Sequence, residues 1–216
     1  MSDGSLVKSK FRFCGILVYR QYKIKCPSLN DICSGYTAIT NTYQNDSYGP
    51  IIIAFKGPTD PDYFYASDFN YTEMVPFIGG GKVNKQFLDA FNNIWINAGM
   101  KDDILTLKNK NPFSNFIIVG HSTGGAMASL AAVTIAASRI AYAQVVGLFT
   151  FGQPRTGDKD FADTVTSAVR RHVLNLQKIS LFDTFQIHIL QSAMIFQSFH
   201  IALILILKDR AHPYDG

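Results

Sequence analysis

The chain has 216 residues, of which 47% are hydrophobic and 17% charged, with a formal net charge of +4. This composition excludes a disordered chain, and 216 residues are enough for one domain with a buried core. The Lys and Arg residues are scattered and form no basic stripe with aromatic residues, so nucleic acid is excluded as the expected partner. The sequence predicts a single domain over residues 1–216.

The N-terminal stretch "MSDGSLVKSKFRFCGILVY" places basic residues before a short apolar run, as a signal peptide does. Arg12 interrupts this stretch, and "CGILVY" is shorter than the apolar region of a normal signal peptide. We therefore recognise no clear signal peptide here. The apolar run equally suits the first strand of the fold.

Three cysteines and two sequons bear on the compartment. Cys26 and Cys33 bracket the turn-rich loop "CPSLNDIC", which suits a local disulfide and leaves Cys14 unpaired. Three reduced thiols in a cytosolic protein are an equal alternative. Sequons at Asn45 and Asn70 favour the secretory route. We expect a secreted protein or one that passes through the secretory pathway.

Strands and helices alternate through the middle of the chain. Short apolar runs that end near a glycine predict buried strands at 48–57, 115–120 and 145–152. Apolar or small residues at helical spacing predict helices at 83–110, 124–140 and 159–171, the first interrupted at Gly99. A loop-rich stretch, 58–85, follows the first of these strands. This alternation predicts an α/β fold with a mostly parallel central sheet flanked by helices on both faces.

One serine stands at a predicted strand-to-helix corner. Residues 120–124 read Gly-His-Ser-Thr-Gly, the pattern of a nucleophile elbow. The glycines let the strand and helix approach closely, and Ser122 would take a strained conformation that exposes its Oγ at a helix N-terminus. The backbone N–H of Thr123 would then point at the oxyanion of a tetrahedral intermediate.

Two other interpretations of this corner are possible. Ser122 is alternatively a helix N-cap in an ordinary glycine-rich turn. A phosphate-binding loop is disfavoured because no lysine follows the glycines. The strand before the corner and the small-residue helix after it favour the elbow.

Three segments resemble the class 3, fungal-type triacylglycerol lipases of the α/β-hydrolase fold. They are "IIIAFKGPTD" at 51–60, "GHSTGG" at 120–125 and "TFGQPRTGD" at 150–158. "GYTAIT" at 35–40 and the preceding cysteine pair resemble the secreted nematode branch. The resemblance covers about residues 26–178.

The resemblance implies hydrolysis of acylglycerols or other carboxylic esters by Ser, Asp and His in that chain order, without a metal or cofactor. Ser122 would be the nucleophile, a histidine its general base and an aspartate the group that orients the imidazole. The aromatic loop after Lys56 corresponds to the lid of the family, and its Phe64, Tyr65 and Phe69 would face lipid at an interface. Ordinary core or rim positions for these rings are an equal alternative.

The oxyanion hole departs from the family pattern. The second donor of the family is the backbone N–H of the Thr or Ser that follows "F-R-G". Pro58 stands at that position here, and proline has no N–H. Loss of one such donor lowers turnover on the order of 100- to 1000-fold in a protease.

The C-terminal end also departs from the pattern. Residues 179–216 form an atypical apolar tail, which we interpret as a truncated or altered end such as an alternative or incorrect splice would give. The candidate triad partners are Asp183 and His212. Asp209, His188 and His200 fit the expected spacing or setting less well. The apolar run 193–207 is shorter than the roughly 20 residues of a membrane span, so no clear span is expected.

Three functions are therefore compared. The first is a lipid-ester hydrolase that uses Ser122. The second is a catalytically impaired homologue that binds lipid or a protein partner, which Pro58 and the missing histidine segment favour. The third is a peptidase or thioesterase on the same fold, because a fold does not fix its substrate.

Overall fold

The computed structural model describes residues 12–13, 16–29, 31–41, 48–57, 73–169 and 171–173. These residues all belong to one compact unit, Met1–Asn175. Cys14, the sequons at Asn45 and Asn70, and the tail 179–216 lie outside the described residues.

Nine strands are described. In chain order they are β1 Arg12–Phe13, β2 Ile16–Cys26, β3 Asp31–Asn41, β4 Tyr48–Lys56, β5 Met74–Pro76, β6 Lys82–Asn84, β7 Phe116–His121, β8 Val146–Phe151 and β9 Arg171–Val173. Seven of them form one sheet in the order β1-β2-β3-β4-β7-β8-β9, and β5 pairs with β6 separately. Strands β4, β7, β8 and β9 pair in parallel, whereas β1 to β4 pair antiparallel. The carboxyl ends of β4, β7 and β8 consequently meet at one edge.

Four α-helices are described, namely α1 Lys85–Asn92, α2 Met100–Lys110, α3 Thr123–Ala137 and α4 Lys159–Ala168. A π-helical turn, Asn93–Asn97, continues α1. Gly99 follows with a φ of 80°, a left-handed conformation that suits glycine, and α2 begins at the next residue. The predicted interruption of this helical region at Gly99 is confirmed. None of the helices in the described ranges is long and apolar enough to cross a membrane.

The predicted α/β alternation is confirmed, since β4, β7 and β8 and the helices α1 to α4 occupy the predicted segments. Three details differ. The helix predicted over 159–171 ends at Ala168, and β9 begins at Arg171. The run "CGILVY" contains the first residues of β2, as its interpretation as a strand predicted, but β3 and its antiparallel pairing with β2 were not predicted. The stretch predicted as loop contains β5 and β6 among its described residues.

The core lies between the sheet and the helices. Alternate residues of the strands, including Ile51, Ile53 and Ile118, join one buried cluster with residues of all four α-helices. Helix α3 is buried along most of its length, from Thr123 to Val133. Its many alanines and glycines fit this position, because a helix surrounded by other elements needs small residues for close approach.

A disulfide joins Cys26, the last residue of β2, to Cys33 in β3. The predicted local disulfide is thereby confirmed, and the alternative of three reduced thiols is wrong. Both half-cystines are buried, as is Leu29 in the turn between them. Since Cys33 lies one residue before Ser34, which pairs with Lys56, the disulfide closes the hairpin at the sheet edge where β4 ends.

A partly buried polar cluster fastens α2 to this hairpin. The Tyr22 hydroxyl donates to Asp103 Oδ2 at 2.6 Å, and Arg20 Nη1 lies 3.1 Å from the same oxygen. The Tyr22 and Thr37 hydroxyls are also hydrogen-bonded, at 3.1 Å. Burial, followed by the hydrogen bond to Asp103, raises the pKa of Tyr22 well above its ordinary value. The phenol therefore stays a donor at neutral pH.

We expect Tyr22→Phe to lower the free energy of unfolding by about 1.5–3 kcal/mol, because a hydrogen bond to a charged group is lost. Tyr19→Phe is the matched control, since Tyr19 is half-buried on the same strand without a hydrogen bond in the described part of the chain. Urea unfolding of the two variants measures the difference. Equal midpoints would show that the cluster contributes no stability.

Candidate active site

Ser122 lies between β7 and α3 in a strained conformation. Its φ is 56° and its ψ is −129°, a combination that costs a non-glycine residue about 1–3 kcal/mol. The Ser122 N–H donates to the carbonyl oxygen of Phe151 at 2.8 Å, which holds the corner against the end of β8. The side chain makes no capping hydrogen bond within the described residues, so the interpretation of Ser122 as an ordinary N-cap is wrong.

The Ser122 hydroxyl lies at the start of a helix, as predicted, but it is buried and not exposed as the elbow pattern led us to expect. The residue is 4% exposed, and its Oγ has no hydrogen-bond partner in the described ranges. The first N–H groups of a helix are unpaired within it, and the helix dipole favours negative charge there. This position therefore favours a negative charge on the serine oxygen itself, or on an oxygen of a group that the serine attacks.

Two glycines let α3 begin directly against the sheet. A Cβ on Gly120 would overlap the carbonyl of Gly124, and a Cβ on Gly124 would overlap the carbonyl of Phe55 at the end of β4. Neither obstacle is a flexible side chain, so only backbone movement would relieve the overlap. The close approach predicted for the two glycines of the motif is what their surroundings require.

The end of β4 lies beside the first amides of α3. A Cβ on Gly57 would lie 3.2 Å from the amide nitrogens of both Thr123 and Gly124. Thr123, predicted to supply an oxyanion amide, is thus the first residue of α3 and adjoins Ser122 and Gly57. Pro58, the predicted weak point of the oxyanion hole, lies outside the described residues.

The segment after β8 is fastened to α3 by one amide side chain. Gln153 Nε2 donates to Ser129 Oγ at 3.2 Å and to Thr156 Oγ1 at 2.8 Å. Phe151, which accepts the Ser122 N–H, lies two residues before Gln153. We did not single out Gln153 from the sequence, because a polar residue in a loop gives no sign of what it bonds.

Asp158 connects the same segment to β6 and α4. Its carboxylate accepts from the backbone N–H of Phe161 at 2.9 Å, which caps α4, and from that of Lys82 at 3.0 Å. These backbone hydrogen bonds, that of Phe161 first, lower the pKa of Asp158. The "TFGQPRTGD" segment is thus hydrogen-bonded to α3 through Gln153 and to β6 and α4 through Asp158, next to the corner that carries Ser122.

His121, the residue before Ser122, is a titratable group at the strand-to-helix corner. It ends β7 and is half-buried, and a Cβ on Gly152 would lie 3.7 Å from its Nε2. Burial lowers the pKa of His121 from its ordinary value, so the ring is neutral at neutral pH. No hydrogen bond joins this ring to Ser122 in the described part of the structure.

The other predicted site residues are not brought to Ser122 by anything described. Asp183 and His212 lie outside the described residues, as do Asp209, His188 and His200. The predicted lid aromatics Phe64, Tyr65 and Phe69 lie outside them too. Among the residues that are described, no group of three or more His, Cys, Asp or Glu is placed to hold a metal ion.

The mixed sheet, the strained serine after the central parallel strand and the helices around the sheet define an α/β-hydrolase. The native complex of Rhizomucor miehei lipase with its propeptide has this fold, with a TM-score of 0.60 and 21% identity. The similarity covers 81% of this chain and 53% of that one.

Residues 52–179, more than half of the chain, match the family Lipase (class 3). The chain belongs to this family. A lipase of Caenorhabditis elegans is 26% identical over 144 residues, which are 65% of this chain and 38% of that protein. Secreted mono- and diacylglycerol lipase 1 of Fusarium solani is 31% identical over 103 residues, or 47% of this chain and 29% of that protein. The chain thus spans about a third of the length of these curated relatives.

We expect Gly124→Ala to lower the free energy of unfolding by about 3 kcal/mol or more, because its Cβ would overlap the backbone of Phe55. Gly125→Ala is the matched control in the same helical turn. The nearest atom to its Cβ is Gln153 Cβ at 3.1 Å, and its gain in helix propensity is about 1 kcal/mol. Chemical denaturation compares the two variants. A Gly124→Ala chain as stable as Gly125→Ala would contradict the close approach.

His121 predicts a pH dependence of stability. Because its folded-state pKa is lowered, the unfolded chain binds a proton at a pH where the folded chain does not. The free energy of unfolding should therefore fall as the pH decreases below about 6.5, the ordinary pKa of histidine. His121→Gln lacks this proton uptake and should lose less stability between about pH 7 and pH 5. Chemical unfolding at several pH values measures the difference. An equal loss of stability in the wild-type chain and in His121→Gln would contradict the role of His121.

Proposed function

We propose that this chain is a serine hydrolase of carboxylic esters, acting on acylglycerols or other lipid esters with Ser122 as nucleophile. The conformation of Ser122 carries the proposal, since a non-glycine residue at φ 56° places a buried, unpaired hydroxyl at the N-terminus of α3. The substrate class is supported by the family and by the lipases to which the chain is similar.

The proposed reaction begins when Ser122 Oγ attacks the ester carbonyl carbon and its proton passes to a general base. The carbonyl oxygen becomes an oxyanion beside the N–H of Thr123. Collapse of the tetrahedral intermediate then expels the alcohol, which takes the proton back from the base. Water then releases the acid from the acyl-enzyme. We propose His212 as the base and Asp183 as the residue that orients it, on their chain order after Ser122.

The setting of this activity is part of the proposal. We propose one lipase-like domain over residues 1–216 that reaches the secretory pathway. The buried disulfide between Cys26 and Cys33 and the similarity to a secreted lipase support this route. The aromatic residues Phe64, Tyr65 and Phe69, in the stretch that resembles the lid of the family, support an encounter with substrate at a lipid–water interface.

The second candidate function is a catalytically impaired lipase homologue that binds lipid or a protein partner. Two observations favour it. Pro58 has no N–H with which to bind an oxyanion. Ser122 Oγ is also without an imidazole partner among the described residues.

Labelling with a fluorophosphonate tests the proposed function. We expect an adduct on Ser122, located by mass spectrometry, and hydrolysis of p-nitrophenyl butyrate by the same preparation. Ser122→Ala should abolish labelling and lower turnover by on the order of 10⁴-fold or more, because the nucleophile is gone. Ser138→Ala, at the exposed C-terminal end of α3, is the control and should keep both the labelling and the turnover of the wild-type chain.

The outcomes separate the two candidate functions. A folded wild-type chain that neither labels nor hydrolyses the ester would leave the binding homologue as the function. In a chain that does label, Asp183→Asn and His212→Gln examine the proposed triad. Undiminished labelling of either variant would remove that residue from the triad.

A further inference from the structure

We infer that the side-chain hydroxyl of Thr123 is a second hydrogen-bond donor to the oxyanion, in addition to the backbone N–H of the same residue. The inference rests on the proposed function and assigns to this chain a donor that the predicted site lacks. Pro58 follows Gly57 in the sequence and carries no N–H. A hydroxyl close to the same end of β4 would supply the missing hydrogen bond.

The Thr123 hydroxyl is buried and unpaired. The residue is 0% exposed, and Oγ1 has no hydrogen-bond partner in the described part of the chain. Most buried polar side-chain atoms are hydrogen-bonded, and leaving one unpaired destabilises the fold. Two consecutive residues, Ser122 and Thr123, both bury an unpaired hydroxyl at the start of one helix. Such a pair is explained if both oxygens acquire their partners from the substrate.

The position of Thr123 directs its side chain to the correct end of the helix. Thr123 is the first residue of α3, and the Cα–Cβ bonds of a helix tilt toward its N-terminus. At that end a Cβ on Gly57 would lie 3.2 Å from the Thr123 nitrogen. The hydroxyl is therefore close to the backbone N–H that faces the oxyanion. Rotation about its Cα–Cβ and C–O bonds selects the acceptor.

An unpaired hydroxyl in the resting enzyme also favours the transition state. Catalysis requires interactions that are stronger in the transition state than in the ground state. A donor without a partner at rest gains its hydrogen bond when negative charge develops on the carbonyl oxygen. The Thr123 hydroxyl then destabilises the free chain and, by the same lack of a partner, contributes to catalysis.

Thr123→Val tests the inference, because valine keeps the shape and removes the hydroxyl. We expect kcat for p-nitrophenyl butyrate and the fluorophosphonate labelling rate to fall on the order of 100-fold with KM little changed. Since the lost hydroxyl was unpaired, the melting temperature should stay equal or rise. Thr123→Ser, which keeps the donor, should retain most of the activity.

Thr150→Val is the matched control. Thr150 Oγ1, in β8, is likewise buried and unpaired in the described ranges, but it precedes the end of its strand and does not begin α3. We expect this variant to match Thr123→Val in stability and to keep wild-type activity. Equal losses of activity in the two variants would make the effect one of packing and overturn the inference.

The remaining outcomes distinguish this inference from the proposed function. A wild-type chain that labels at Ser122, with Thr123→Val labelling equally fast, would overturn the role of the hydroxyl alone. A folded wild-type chain that does not label would overturn the proposed function, and the donor role with it. A Thr123→Ser variant as slow as Thr123→Val would also overturn the role of the hydroxyl, because serine keeps the donor.

Discussion

The contact between the first turn of α3 and the end of β4 is the constraint on which the rest of this structure depends. Gly120 and Gly124 lack the Cβ atoms that would meet backbone there, and Gly57 completes the contact from the strand side. Because backbone atoms pack directly on backbone atoms here, no side chain can change its rotamer to relieve an overlap. The helix therefore has one position relative to the parallel strands, and the conformation of Ser122 follows from it.

Further hydrogen bonds hold this corner from outside. The carbonyl of Phe151 receives the Ser122 N–H, and Gln153 joins the loop after β8 to Ser129 within α3. Asp158 extends the connection to β6 and α4. Strain at one residue persists when its neighbours over-determine its position, which is the situation here. The scaffold thus holds Ser122 in a strained conformation that a non-glycine residue rarely adopts.

The parallel part of the fold was predictable because β4, β7 and β8 are short apolar runs separated by helical segments. The pairing of β2 with β3 was not, since "YRQYKIK" interleaves polar and aromatic residues, and the contact of its buried Tyr22 with Asp103 of α2 is a tertiary one. At the site, the spacing of Gly120, Ser122 and Gly124 was sufficient to predict the elbow. The partners of Gln153 and the burial of the Thr123 hydroxyl depend on tertiary contacts that no local pattern contains.

The glycines and the serine of the elbow answer to different requirements. Gly120 and Gly124 are needed for packing whether or not the chain reacts with anything, because a Cβ at either would displace backbone. Ser122 satisfies no such requirement, since its hydroxyl makes no hydrogen bond in the described structure and its conformation is strained. A substitution of the serine would leave this packing unchanged, whereas a substitution of either glycine would disturb it. In this chain, therefore, packing alone accounts for the two glycines, but it does not account for the strained, unpaired serine between them.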